Sequence, residues 1–244
     1  PLIEPGAIVV SATKGIEADS LKRMSEVIRE ETDGRNPVVV LSGPSFAAEV
    51  AQRLPTALVA ASDDDAAVVL VQAEFRGPQF RLYGTPDVVG VEIGASLKNI
   101  IAIAAGVVES LGLGHNAMSA LITRGLAEIA RLSYAMGGQR DTPAGLSGLG
   151  DLVLTCTGSL SRNRHVGIEL GRGRSLDDIL ASMRMVAEGV KTTTAALALG
   201  EKHGVELPIA AQMAEVLAGR KSPRGAVGDL MLRPQRGERD QGNR

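Results

Sequence analysis

The chain has 244 residues and a formal net charge of −2, with both signs spread along most of its length. A chain of this size buries roughly 70–75% of its unfolded surface, so its core needs no staple, and a lone cysteine, Cys156, excludes an internal disulfide and fits a reducing compartment. The near-neutral charge excludes a global basic field for nucleic acid or a membrane, the 2% aromatic content without Trp argues against base stacking, and three scattered histidines suggest no metal site.

The chain starts at Pro1 and soon enters a strand-like run at 7–11, with no signal peptide or transit segment before it. That reads as entry into the middle of a fold. An amphipathic helix is expected over 20–31, ending before Gly34, then buried strands at 37–41 and 56–61. A helix capped by aspartates follows at 63–74, and a short strand at 80–83. Continuous Val/Ile runs with helices between them indicate a sheet covered on both faces.

After Pro86 the pattern turns helical. The stretch 95–110 is apolar on nearly every side and reads as a central helix, with its apolar core too short and too rich in Ala and Gly to span a bilayer. A second long helix is expected over 116–136, with Arg124, Glu128 and Arg131 on its polar side. A glycine-rich loop precedes helices at about 161–170, 175–183, 188–203 and 208–218, punctuated by Gly204 and Pro208. The fold class is α/β with a helical C-terminal part, and the boundary falls between Pro86 and Gly94.

The segment from Gly145 to Arg164 carries the clearest chemistry. It puts a glycine-rich turn, the carboxylate of Asp151 and the cluster Ser161-Arg162-Asn163 at a helix start. Free N–H groups there favour anions, and the Arg162 fork matches phosphate oxygens, which points to a small phosphorylated substrate. An ordinary capped loop is the competing reading. Lys98 lies in the first turn of the apolar helix by this reading. Desolvation and the positive helix end both disfavour its ammonium form and suit it to proton transfer, whereas a snorkelling lysine would reach solvent. Lys14 follows a strand at the end where open α/β sheets bind ligands. Gly43, Pro44 and Ser45 also follow a buried strand: Gly43 permits close backbone approach and Ser45 could donate to an oxygen or cap a helix. Glu188 near a helix start favours the dipole, and Cys156 reads as small apolar filler.

In this order, Thr13-Lys14-Gly15, Ser42-Gly43-Pro44-Ser45-Phe46-Ala47, Ser96-Leu97-Lys98-Asn99, the run from Gly145 to Leu152, the run from Ser159 to Arg164, and Glu188-Gly189-Val190-Lys191-Thr192 resemble the bacterial NAD(P)-dependent glycerol-3-phosphate dehydrogenases. The resemblance runs from about residue 8 to 232, and it implies the remnant of a Rossmann-type parallel sheet followed by an all-helical C-terminal domain: 1–90 a partial dinucleotide-binding domain, 91–232 a helical substrate and catalytic domain, and 233–244 a disordered tail. It implies hydride exchange between C2 of sn-glycerol 3-phosphate and NAD or NADP, giving dihydroxyacetone phosphate, and a supply of glycerol 3-phosphate for phospholipid synthesis. By family likeness Lys98 is the catalytic base. Lys14, Gly43, Ser45, Lys98, Asp151, Ser161, Arg162 and Asn163 hold the substrate. Lys14, Ala47, Arg162, Val186 and Glu188 meet the dinucleotide, and Asn99 and Thr155 support. It further implies a cytoplasmic homodimer acting on a small phosphate ester, without nucleic-acid binding or membrane insertion.

The sequence departs from that family in one respect: no Gly-x-Gly-x-x-Gly/Ala turn follows a strand, and Gly145-x-x-Gly-x-Gly150 is spaced differently. This reads as a missing first half of the dinucleotide fold, so the chain alone is expected not to bind NAD(P) productively. Two alternatives stand beside this one: another two-domain dehydrogenase of the hydroxyacid or ketopantoate type, or an inactive dimerisation fragment.

Overall fold

Four strands and eleven α-helices are seen among the described residues, which are 3–183, 187–235, 237 and 238 of a computed structural model. In chain order they are β1 (Val9–Ser11), α1 (Met24–Glu31), β2 (Val38–Ser42), α2 (Ala47–Ala51), β3 (Thr56–Ala61), α3 (Asp65–Glu74), β4 (Phe80–Thr85), α4 (Val88–Ser110), α5 (Gly114–Ala135), α6 (Asp151–Thr157), α7 (Arg162–Gly171), α8 (Leu176–Ser182), α9 (Glu188–His203), α10 (Pro208–Leu217) and α11 (Pro223–Met231).

The strands form one sheet in the order β1-β2-β3-β4. Every residue of β2 is buried, as its uninterrupted valine run demands. One face of the sheet packs Val39, Leu41, Leu58, Ala60 and Leu82 against Ala67, Val68 and Val71 of α3. The other packs Val40 and Ala61 against Val88 and Val91 of α4. Coverage on both faces is thus as expected, but the sheet is mixed rather than parallel throughout. β1 pairs with β2 and β3 with β4 in parallel, whereas β2 and β3 are antiparallel, with Val40 opposite Ala61. The link between β2 and β3 carries only the five-residue α2 and turns at Arg53, whose φ is +59°, so the chain returns from the same end of the sheet. A parallel return needs a longer crossover. The carboxyl ends of β1 and β2 lie side by side, and the Lys14 and Gly43 loops leave from that edge.

Helix α4 is the axis of the rest. It starts seven residues earlier than its composition suggests, at Val88, because Asp87 caps it: Oδ1 accepts the Gly90 N–H at 2.8 Å. Oδ2 also takes the Gln139 N–H and the Thr142 hydroxyl, tying the loop after α5 to this corner. Gly90 and Gly94 look like helix breakers in the sequence, yet they are contact points. A Cβ on Gly94 would lie 3.0 Å from the Ser147 carbonyl oxygen. With 23 residues and an 18-residue stretch of mean hydropathy 1.6, α4 is long and apolar enough to cross a membrane, contrary to the shorter estimate, but 94% of that stretch is buried inside the protein. Its core partners include Ile129, Leu132, Leu152, Val166, Ile179, Ala196 and Leu199.

The crossing of α4 with α7 is unusually close. A Cβ on Gly106 would sit 2.0 Å from the Arg164 carbonyl oxygen, and one on Gly167 would sit 1.9 Å from that of Ile103. Only glycine lets the two backbones meet there. Glu128 departs from expectation too. It is 4% exposed, and its carboxylate accepts the Ile209 N–H at 2.7 Å and the Ala210 N–H at 3.4 Å, capping α10 from α5. At the end of the chain, Arg233 pairs with Glu206 at 3.2 Å, while residues 236 and 239–244 of the expected tail lie outside the described residues.

Candidate active site

Lys98 sits on the buried face of α4, 5% exposed, ten residues past Val88. Its amine donates to Asp151 Oδ1 at 2.5 Å and to Thr155 Oγ1 at 2.7 Å. Both acceptors stand on α6, one turn apart, where Asp151 opens the helix and the Thr155 hydroxyl donates to the Asp151 carbonyl at 2.6 Å. The other carboxylate oxygen of Asp151 takes the amine of Lys14 at 2.7 Å. One buried carboxylate therefore bridges two lysines from separate parts of the chain.

Burial lowers the Lys98 pKa from its usual 10.5 to about 8; the Lys14 charge lowers it too, and these effects outweigh the opposing pull of Asp151. The expectation of a helix-end effect fails, because α4 begins almost three turns earlier. The snorkelling alternative fails as well, since the amine is enclosed. Cys156, next along α6, is fully buried and its thiol is pushed up to about 12 by burial, which suits filler and not a nucleophile.

Around this centre, Asn99 donates to Glu188 Oε2 at 3.2 Å, and the Asn163 side-chain oxygen accepts the Gly189 N–H at 3.0 Å. A Cβ on Gly189 would meet both Asn163 Oδ1 and the Asn99 carbonyl at 2.8 Å, so the start of α9 packs directly on α4 and α7. Gly43 has φ +138°, and a Cβ there would press on Leu58 at 3.0 Å. The loop it opens reaches α6 on both sides: Pro44 lies beside Gly150, and the Phe46 ring occupies the space a Gly158 side chain would need.

Comparison with known proteins places this geometry. Residues 87–228 match the family described as NAD-dependent glycerol-3-phosphate dehydrogenase C-terminus, and residues 1–68 match its N-terminus counterpart. The chain belongs to the NAD-dependent glycerol-3-phosphate dehydrogenase family. It is 58% identical over 237 residues to glycerol-3-phosphate dehydrogenase [NAD(P)+] of Koribacter versatilis, covering 96% of this chain and 70% of that protein. It is 54% identical to the enzyme of the same name from Geobacter sulfurreducens, over 98% of this chain and 72% of that protein. The crystal structure of glycerol-3-phosphate dehydrogenase from Coxiella burnetii superposes with a TM-score of 0.91 at 42% identity, covering 96% of this chain and 71% of that one. A D-mandelate dehydrogenase complex shares 13% identity at a TM-score of 0.51, which is likeness of fold alone. The hydroxyacid or ketopantoate reading therefore gives way to the family assignment.

Of the residues expected at a glycerol-3-phosphate dehydrogenase site, Lys14, Lys98 and Asp151 are joined by direct bonds. Asn163 and Glu188 form the adjoining contacts to α9 and α4. The others are less directly engaged. The Ser45 hydroxyl donates locally to the Gly43 carbonyl at 3.2 Å, and Phe46, not Ser45, is the N-cap of α2. Ser161 caps α7 by accepting the Arg164 N–H at 3.2 Å. Arg162, the first residue of α7, is exposed, and no hydrogen bond or ion pair joins it to Lys98 or Asp151 among the described residues. Val186 lies outside the described residues.

Several of the residues expected to meet a dinucleotide are open to one, whereas the Gly-x-Gly-x-x-Gly/Ala turn for its pyrophosphate is absent from the sequence. Gly15 and Gly43 both adopt positive φ on the loops leaving the β1–β2 edge, Ala47 is exposed in the first turn of α2, and Arg162 presents a cation at a helix start. Sequence reasoning missed the buried polar groups that hold the frame, namely Asp87, Glu92, Ser96 and Glu128. The one usable signal was Asp87 directly after Thr85-Pro86, an N-cap residue in N-cap position.

Proposed function

We infer that the site in this chain is built for the reaction of its family, interconverting sn-glycerol 3-phosphate and dihydroxyacetone phosphate with NAD(P)+ or NAD(P)H. The chain by itself, lacking the Gly-x-Gly-x-x-Gly/Ala turn, is still expected not to bind the dinucleotide productively. The observation that carries the reading is the enclosed Lys98 amine, held by Asp151 and Thr155 and drawn to a pKa of about 8. When bound, the nicotinamide supplies or accepts the hydride at C2.

Lys98 in its neutral form takes the proton from the C2 hydroxyl as the alcohol is oxidised. In the reverse direction its ammonium returns that proton to the carbonyl oxygen. Asp151 and Thr155 fix the amine so that little reorganisation is needed at the moment of transfer. Lys14 balances the Asp151 charge and stands ready for a substrate oxygen. Arg162 and Asn163 hold the phosphate, assisted by Ser161 and the free N–H groups of α7, with Gly43 and Ser45 closing the opposite side. Lys14, Ala47, Arg162, Val186 and Glu188 hold the dinucleotide. We take residues 1–90 as the dinucleotide-binding part and 91–232 as the helical part. The product serves phospholipid synthesis, and the enzyme works as a cytoplasmic homodimer; it does not insert into a membrane, and only this last point has the support of the burial of α4.

Oxidation of NADH or NADPH by dihydroxyacetone phosphate, followed by absorbance with this site in a chain that carries the complete dinucleotide fold, tests this function. Preference for a carboxylate such as 2-ketopantoate over the phosphate ester would overturn it. Turnover by the 244 residues alone would overturn the expectation that they do not bind NAD(P) productively.

A further inference from the structure

Glu92 has no place in the chemistry above, yet it is one of the most heavily bonded side chains in the protein. It lies on α4, 4% exposed, six residues before Lys98. One carboxylate oxygen accepts the Ser25 N–H at 2.8 Å. The other accepts the Ser25 hydroxyl at 2.6 Å and the Arg23 guanidinium at 2.9 Å. Arg23 and Ser25 are the entry to α1, where the loop that begins after β1 ends. An isolated buried carboxylate is costly, so three donors from one segment mark a designed junction rather than a chance contact.

The same loop is tied to α4 one turn further on. The Ser96 hydroxyl accepts the Gly15 N–H at 3.1 Å and donates to the Glu92 carbonyl at 2.7 Å. Gly15 takes a φ of +135° at that contact, which other residues rarely adopt. Between these two attachments the loop has little regular structure beyond an isolated bridge from Ile16 to Arg23. Lys14 precedes Gly15, and its amine reaches Asp151.

We propose that Glu92 is a positioning residue: by clasping Arg23 and Ser25 it seats the loop after β1 on α4, and so sets the reach of Lys14 to the carboxylate that also holds Lys98. The inference rests on the reading of Lys14, Asp151 and Lys98 as one site. It assigns to Glu92 the job of keeping a second positive charge beside the reacting amine without touching substrate. The ionisable groups facing Lys98 are Lys14 from the loop and Asp151 and Cys156 from α6. Withdrawing Lys14 removes a like charge and leaves Asp151 to Lys98 alone, and both changes favour the ammonium.

The test is the titration midpoint of Lys98 in the whole chain, followed by NMR of 13Cε-labelled lysine, with its signal assigned by loss in Lys98→Arg. Glu92→Ala should raise the midpoint by about one, a roughly tenfold change in the dissociation constant. Glu92→Gln, which keeps an acceptor for Ser25 but loses the charge pairing with Arg23, should raise it less and covers the case in which the alanine variant does not fold. Lys14→Met should raise the midpoint at least as far, and adding Glu92→Ala to it should move nothing more. If Lys14→Met shifts Lys98 and neither Glu92 variant does, the role given to Glu92 is wrong. Should Lys14→Met itself leave Lys98 unmoved, the shared site fails and the inference with it, whatever Glu92 does. Additive shifts in the double variant would show that Glu92 acts by another route and would overturn the proposal.

Discussion

Removing the charge of Glu128 should make this protein more stable at neutral and alkaline pH. Burial pushes the Glu128 carboxyl up from 4.5 to about 7, against the opposing effects of the Ile209 and Ala210 N–H groups and of Arg131 and Arg233. A rise of roughly 2.5 corresponds to about 3 kcal/mol at 1.36 kcal/mol per pKa unit. The folded carboxyl holds its proton more tightly than the unfolded one. The folded state therefore bears this cost above pH 7 and is progressively relieved of it as the pH falls from 7 towards 4.5. Glu128→Gln keeps an oxygen for the Ile209 N–H and cannot ionise. Its extra amide donor and the weaker Ala210 contact should reduce the gain to about 1–2 kcal/mol at pH 8. Urea unfolding of both proteins at pH 5 and pH 8 measures it, and the difference between them isolates Glu128 from every other titrating group. The glutamine form should be ahead at pH 8 and lose that lead by pH 5. Equal differences at the two pH values, or a glutamine form weaker at pH 8, would refute the reasoning. Glu128→Ala, which strips the cap from α10, should cost about 1–3 kcal/mol.

Gly167→Ala should lower the melting temperature severely or prevent folding, because the new methyl would lie 1.9 Å from the Ile103 carbonyl in the α4–α7 crossing; thermal unfolding by circular dichroism reads it. Cys156 should stay unreactive to a thiol-specific reagent at pH 8 in the folded protein and react fully in denaturant, since its thiol is buried and pushed up to about 12. Arg162→Ala should raise KM for dihydroxyacetone phosphate at least tenfold while leaving stability within about 0.5 kcal/mol, because Arg162 is exposed and its side chain makes no hydrogen bond or ion pair among the described residues; steady-state kinetics and urea unfolding separate the two effects.

The sequence was most legible where one physical signal dominated. The valine run of β2 and the alternation of strand and helix before Pro86 are sheet patterns that burial alone determines. Lys98 and Asp151 could be singled out because each lies in a stretch whose composition makes a charge conspicuous. The start of α4 could not be read, because Gly90 and Gly94 look the same in a sequence whether they break a helix or let another chain segment approach. The stretch 145–157 looked like a loop for the same reason, yet it holds a π-helical turn, Leu146–Gly150, that leads into α6. Glu128 and Glu92 were invisible as buried groups since their partners, the Ile209 and Ser25 backbones, are 81 and 67 residues away. The antiparallel return of β3 depends on the link through α2, which no periodicity reports.

The claim on which the enzymology turns is that Lys98 carries the proton to and from the C2 oxygen. Lys98→Ala, assayed with dihydroxyacetone phosphate and then with added primary amines of graded basicity, tests it most directly. Turnover should fall by about 10²–10⁴-fold with the fold intact, and the amines should restore part of it in proportion to their basicity. A variant that retains turnover within tenfold of the parent, or that no amine restores while ammonium-sized probes enter the site, would contradict it.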